Sequence, residues 1–312
     1  MLGIASGNEG FELRSAGIKI PLLVFGLVPP PALKEALTMS LRLVVGDFDY
    51  LTMIQSLARE LGLPAKVHIK IDVGMGRLGC SPEEAPALVQ QAVLSPWSEL
   101  DGLCTHFPQS DNGLKEPTET QLQLFLKTLE VIQKRGYSPP WIHTSNSAGL
   151  KLLSSGVVNL GRPGIGLYGF DPLEDFGASL KLKPVMELES TLTYLKRVRE
   201  GSPISYGGTW KAPKDTWIGT VAAGYGDGYS RGLSNQGQVH INGVQYPIVG
   251  RVCMDQFMVN LGTELNVERW SPVTLFGHGE GVTTAAMIAD TTGTIPYEIT
   301  CQVSRRVPRI VV

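Results

Sequence analysis

Over the first 170 positions, apolar residues fall in short, nearly unbroken runs separated by longer stretches with helical spacing. Leu2–Ser6, Pro21–Gly26, Arg42–Asp47, Val67–Asp72, Gly102–Phe107, Trp141–Ser147 and Val157–Gly164 read as strands. Asn8–Ala16, Ala32–Met39, Tyr50–Leu61, Pro82–Leu94, Pro117–Arg135 and Ala148–Leu153 read as helices between them. Strands without polar alternation are buried on both faces, as in a parallel sheet covered by helices. A closed (β/α)₈ barrel needs one strand more than these runs supply, and the sequence opens directly on a strand. Two architectures remain: an open doubly wound sheet, or a barrel missing its first βα unit.

Past about residue 184 the pattern changes to short β-rich runs broken by glycine and proline: Glu187–Val198, Trp217–Ala222, Gln238–Ile241, Gln245–Val249 and Gln256–Asn260. Asn242-Gly243 is a hairpin-turn dipeptide between two of them. One helix is expected at Thr283–Thr291. The second half reads as a mainly antiparallel β domain, with the boundary within Pro172–Pro184; residues 1–183 and 184–312 are taken as the two domains.

Composition narrows the class. The 312 residues carry 27 basic and 29 acidic side chains without a long run of either sign, which disfavours nucleic acid or an anionic membrane as the main partner. Cys80, Cys104, Cys253 and Cys301 stand far apart, without metal-type spacing, and suit a reducing compartment. The longest apolar stretch, Ile20–Leu33, is too short to span a bilayer, and the first residues lack the order of a signal peptide. A cytoplasmic protein is expected.

Polar residues gather where parallel strands end, the place where barrels put their active sites. Val67–Gly79 ends its strand at Asp72 and then presents Arg77, either a bidentate carboxylate clamp or a surface arginine after a turn. His106 closes the next strand and reads as a core histidine or a site residue. Ser147 and Ala148 open a helix after a strand, which suits a phosphate or an ordinary N-cap. In Gly161–Gly169, Arg162 points from a late strand and Gly164 permits close approach of a ligand. The β-rich half adds Tyr225 within GYGDGY, CMDQ at Cys253–Gln256, and PYE at Pro296–Glu298. A tyrosine in such a turn is a packing residue or, beside cations, an acid/base group.

In order along the chain, FELRSAGI, KIDVGMGRLG, THF, NSA, GRPGIGLYG, ISYGGTW, GYGDGY, VGRVCMDQ, PYE and RVPRI resemble the alanine racemase family. These enzymes use pyridoxal phosphate (PLP), and have an N-terminal (β/α)₈ barrel and a C-terminal β domain. The resemblance implies interconversion of L- and D-alanine, D-alanine for peptidoglycan, and a homodimer with shared active sites. It implies that Tyr225 is the base on the L-alanine face, reaching the partner subunit's site. Arg77 and the backbone of Met254 would hold the substrate carboxylate, Met254 again from the partner. Arg162 would face the pyridine nitrogen, His106 would lie beside the ring, and Ser147, Gly164, Ile165 and Tyr297 would cradle the phosphate. Lys70 matches a lysine carbamylated in some members that orients the arginine corresponding to Arg77. No metal site is expected.

The sequence departs from the family at one point. The family's PLP lysine sits in a VxKAxAYGHG-type segment after the first barrel strand, and no such segment occurs here. The expectation is a barrel short of its first βα unit and a chain that, as it stands, is inactive. A non-catalytic remnant or binding protein is the alternative. Another PLP barrel enzyme, such as an amino-acid decarboxylase, is a third reading, against which the basic Arg162 counts.

Overall fold

A computed structural model describes residues 1–112, 115–152, 156–172 and 182–312. It forms two compact units, residues 1–166 with 171–172, and residues 167–170 with 182–312. The expected boundary interval, Pro172–Pro184, lies largely outside the described residues.

The first unit is a six-stranded sheet whose spatial order follows the sequence: β1 (Leu2–Ile4), β2 (Leu22–Val24), β3 (Arg42–Val45), β4 (Ala65–Lys70), β5 (Ser98–Cys104) and β6 (Trp141–His143). Every neighbouring pair is parallel. Sequential parallel order is the winding of a barrel, so the sheet is half-barrel-like and not doubly wound. Between the strands lie α1 (Gly7–Ser15), α2 (Pro30–Thr38), α3 (Phe48–Leu61), α4 (Ala85–Leu94) and α5 (Lys115–Lys134); α6 (Gly149–Leu152) follows β6. α3 shows the logic of these helices. Asp47 caps it by accepting from the Tyr50 N–H at 2.7 Å, and Tyr50, Ile54 and Ala58 make its buried stripe. α4 starts three residues later than its apolar pattern because Ser81 and Glu84 cap each other's N–H groups ahead of it.

The expected strand Val157–Gly164 does not form. Its backbone follows β6 at two points, Asn159 N–H to Ile142 O (3.0 Å) and Arg162 N–H to Ser145 O (3.0 Å). The Ile142 N–H, which a ladder would use, is taken by the Asn159 side chain at 2.9 Å, and Pro163 has no N–H to give. The expected Ala148–Leu153 helix is α6, seated on Asn146 Oδ1, which accepts from the Gly149 N–H at 2.8 Å; Leu153 lies outside the described residues.

The second unit is a closed antiparallel barrel. Its strands are β7 (Leu188–Val198), β10 (Thr216–Val221), β11 (Gln238–Ile241), β12 (Val244–Val249), β13 (Phe257–Gly262) and β14 (Pro272–Phe276), joined in the order β10-β13-β12-β11-β14-β7. A small ribbon of β8 (Pro203–Ile204) and β9 (Trp210–Lys211) forms a separate sheet that packs Ile204 and Trp210 against Ile218 and Val249 of the barrel. Asn242-Gly243 closes the β11–β12 hairpin as expected, between the paired Ile241 and Val244. α7 (Ala285–Thr292) matches the expected helix, and α8 (Pro296–Gln302) follows it. β14 and α8 have no counterpart in the hydrophobic pattern, being short and started by prolines.

Candidate active site

At the C-terminal end of the parallel sheet the first unit assembles its cations. Lys70 ends β4 almost completely buried and donates from Nζ to Leu78 O at 2.8 Å. Beyond it, both oxygens of Asp72 accept three N–H groups, from Gly74 (2.9 Å), Met75 (2.7 Å) and Gly76 (2.7 Å). The chain then returns to the strand through Cys80 N–H to Lys70 O (3.0 Å) and Asp72 N–H to Cys80 O (2.8 Å). The loop is therefore held at both ends and from beneath, and it presents Arg77 exposed.

Arg162 is the centre of the cluster. Nη1 donates to His143 Nδ1 at 2.9 Å; Nη2 donates to Thr105 O (2.8 Å) and Thr144 O (2.9 Å) and lies 3.4 Å from His106 Nδ1. Every one of these acceptors is neutral. The guanidinium also lies over the Phe25 ring, 5.5 Å from its centroid. Burial, followed by the charges of Arg162, Arg77 and Lys70, pushes His106 down to about 4. His106 is thus a neutral imidazole in a positive field. Burial likewise lowers Lys70, with Arg77 and Arg162 adding to the effect and Cys104 and Asp72 opposing it.

Ser147 is buried, and its Oγ accepts from the Gly164 N–H (2.9 Å) and the Gly166 N–H (3.2 Å), bracketing Ile165. A hydroxyl that accepts twice keeps its own proton to donate. The structure thus brings Lys70, His106, Ser147, Arg162, Gly164 and Ile165 to one end of the sheet, with Arg77 close enough for its charge to act there.

In the second unit, Tyr225 starts a short 3₁₀ turn and is 45% exposed, whereas Tyr229 of the same GYGDGY run is buried and stacked on Phe257 at 5.1 Å. Burial raises Tyr229, which is a packing residue. The turn rests on the CMDQ loop through Tyr225 N–H to Cys253 O (3.1 Å) and Gly226 N–H to Met254 O (2.9 Å). Arg306 fastens both pieces, at 2.7 Å from Asp227 Oδ1 and 2.7 Å from Asp255 Oδ1. Asp227 Oδ2 in turn accepts from the Gly224 N–H at 2.9 Å. Met254 and Tyr297 are exposed, Tyr297 in the first turn of α8.

The sequence reading did not single out His68, Asp101, His143, Asp227 or Arg306. A histidine within an apolar strand looks like any core residue until the register is known, and Arg306 is 79 positions from Asp227.

Comparison with known proteins agrees with the arrangement. Residues 1–172 match the family description "Alanine racemase, N-terminal domain", and residues 185–311 match "Alanine racemase, C-terminal domain". An alanine racemase of Treponema denticola is 38% identical over 99% of this chain and 83% of its own length. The solved alanine racemase of Clostridium difficile 630 superposes with a TM-score of 0.92 at 36% identity, covering 98% of this chain and 80% of that one. The alanine racemase from Bartonella henselae, whose structure has covalently bound pyridoxal phosphate, superposes at 0.87 with 25% identity, covering 99% and 84%. Both halves of the chain, and the order of their site segments, belong to the alanine racemase family.

Proposed function

We infer that the protein interconverts L- and D-alanine with pyridoxal phosphate and so provides D-alanine for peptidoglycan. The carrying observation is the cationic end of the parallel sheet, where Arg162, Arg77 and Lys70 surround a neutral His106 and Ser147 keeps a proton to donate. A phosphate and an amino-acid carboxylate both suit that place. When bound, pyridoxal phosphate supplies the ring that accepts electron density from the substrate Cα. Ser147 and the backbone at Gly164 and Ile165 would hold the phosphate, and His106 would lie beside the ring. Arg162 would face the pyridine nitrogen; a guanidinium does not readily release a proton, so it would leave that nitrogen unprotonated. Arg77 holds the substrate carboxylate, on a loop supported by Lys70 at the position carbamylated in some members of the family. The protein works as a homodimer in which Met254 and Tyr225 serve the partner's site, Tyr225 moving the proton on the L-alanine face.

We place the cofactor lysine, which is also the second base, outside these 312 residues. Lys70 is committed to Leu78 O, and Lys66 pairs with Glu99 at the opposite end of β4, 3.2 Å away. The same reading makes residues 1–183 a (β/α)₈-type barrel short of its first βα unit, with residues 184–312 as the β domain. The chain spans 80–84% of the length of the relatives named above. Among the described residues no helix is long and apolar enough to cross a membrane, and all four cysteines are unpaired; we place the protein in the cytoplasm.

The test is borohydride reduction after incubation with pyridoxal phosphate, followed by peptide mapping. The 312-residue chain should carry no covalent cofactor. The same chain preceded by a family-type lysine strand should carry it on that lysine and racemise alanine. An adduct on Lys70 with turnover would overturn the placement of the lysine. A supplemented chain that binds cofactor without racemising alanine would overturn the function.

A further inference from the structure

The parallel sheet buries a line of polar side chains that racemisation, as described above, leaves unused. His68 in β4 and His143 in β6 are 0% exposed, and Asp101 in β5 is 3% exposed. His143 Nε2 lies 2.8 Å from His68 Nδ1, and His68 Nε2 lies 2.8 Å from Asp101 Oδ2. Arg42 in β3 brings Nε to 2.7 Å from the same oxygen, an ion pair by distance although its N–H is not aimed at it. Arg162 stands at the other end, 2.9 Å from His143 Nδ1. Gly102 sits opposite His68 in the β4–β5 register, and a Cβ there would strike the His68 ring. The strand therefore leaves a seat for this imidazole.

Proton count gives the line a direction. Arg162 has donors only, so His143 Nδ1 must accept and carries no hydrogen. A neutral His143 then has its hydrogen on Nε2 and donates it to His68 Nδ1. His68 in turn carries its hydrogen on Nε2 and donates to Asp101. Protonating either ring would set two hydrogens against each other. Burial, with the charges of Arg162 and His68, pushes His143 down to about 2. Burial lowers His68 too, against the pull of Asp101. Burial by itself raises Asp101, but His68 and Arg42 more than offset it, so the carboxylate is charged.

We propose that Asp101 is a positioning residue for Arg162, acting through His68 and His143. The carboxylate terminates a single proton order, Arg162 to His143 to His68 to Asp101. That order keeps His143 Nδ1 a permanent acceptor which aims the guanidinium. The nearest anion on this line is thus two rings away from Arg162, which is oriented without being neutralised by direct contact. The catalytic meaning rests on Arg162 facing the pyridine nitrogen; the proton order does not.

The experiment is two-bond ¹⁵N–¹H NMR on protein labelled with ¹⁵N-histidine, without cofactor. Both His68 and His143 should show a bare Nδ1 and a protonated Nε2, unchanged across the range where ordinary histidines titrate, about pH 5 to 8. The opposite tautomer, or titration, in either ring overturns the proposal. Asp101→Asn keeps an oxygen acceptor and should retain the wild-type pattern. Arg42→Met with Asp101→Leu removes both charges without orphaning one; it leaves the buried His68 Nε2–H without an acceptor, a cost that competes with the Arg162–His143 bond, and should average the two nitrogens of His68. Unchanged nitrogens in the folded double variant would show that the carboxylate does not set the order. In cofactor-loaded, lysine-supplemented protein, the double variant should lower kcat about tenfold, the worth of one misaimed hydrogen bond, with the KM for alanine unchanged. An equal change in both constants would mark a general structural role and overturn the proposal. Correct tautomers with no cofactor binding would instead count against the PLP reading.

Discussion

Replacing Asp72 by alanine removes the carboxylate that accepts three N–H groups in the turn leading to Arg77. Hydrogen bonds to a charged group are worth about 1.5–3 kcal/mol each when solvent cannot replace them. Here Gly74 and Gly76 are exposed and Asp72 is half-buried, so water takes over much of the loss. About 1.5–3 kcal/mol in total is the expected cost, visible as a lower urea midpoint with an unchanged m-value. The far end of the loop stays pinned by Cys80 and by Lys70 on Leu78, so the damage concentrates on the arm carrying Arg77. Steady-state kinetics in lysine-supplemented protein should show the KM for alanine rising about tenfold, which corresponds to losing about 1.4 kcal/mol of carboxylate binding. The same change in an Arg77→Ala background should raise KM no further. An Asp72→Ala protein with unaltered stability and KM, or additive effects of the two changes, would refute the account of this loop.

Tyr225→Phe should slow the L-to-D direction by roughly 10²–10⁴-fold with cofactor still bound, while Tyr229→Phe should leave turnover near wild type; stopped assays from each enantiomer check both, and an active Tyr225→Phe protein removes it as a base. Mixing Tyr225→Phe protein with protein whose supplied lysine is mutated should restore some racemisation, because one site of each heterodimer has both bases; proven heterodimers without activity contradict the shared site. Acid should destabilise the fold early. His143 is depressed from 6.5 to about 2 and His68 is also lowered, so the unfolded chain binds protons that the folded chain refuses. Stability is therefore whole above about pH 6.5 and falls below it, by up to about 1.4 kcal/mol per pH unit for each fully excluded ring. Urea titrations from pH 7.5 to 5 measure this slope, and a flat profile would refute the buried neutral state.

The parts of the fold legible in the sequence were those set by local pattern. β2 and β3 come from apolar runs with nowhere to go but a covered sheet, and Asn242-Gly243 carries its hairpin in two residues; β5 instead starts at Ser98, four residues ahead of the expected Gly102–Phe107, takes in Glu99 and Asp101, and ends at Cys104. Val157–Gly164 had the same apolar look, but whether it joins a ladder turned on Asn159 reaching Ile142, a contact no periodicity encodes. Closure of the second-unit barrel was equally hidden, because β14 is short and pairs with β7 about 80 positions away. Among the candidate site residues, Arg77, Arg162 and Tyr225 stand out in the sequence by glycine-rich settings, and Ser147 by its place where a strand gives way to a helix. What holds them does not: Arg162 depends on carbonyls of Thr105 and Thr144 and on His143, and the Tyr225 turn depends on Arg306 from the far end of the chain. These partners become visible only when register brings distant strands together.

The most direct measurement is exchange of the alanine Cα hydrogen in D₂O, followed by ¹H NMR together with chiral analysis of the product. The 312-residue chain with pyridoxal phosphate should leave both enantiomers protonated and unconverted. The same chain supplied with a family-type lysine strand should exchange the Cα hydrogen and bring either enantiomer to an equal mixture. Racemisation by the 312 residues alone, or a cofactor-loaded supplemented dimer that leaves the Cα hydrogen in place, would contradict the account.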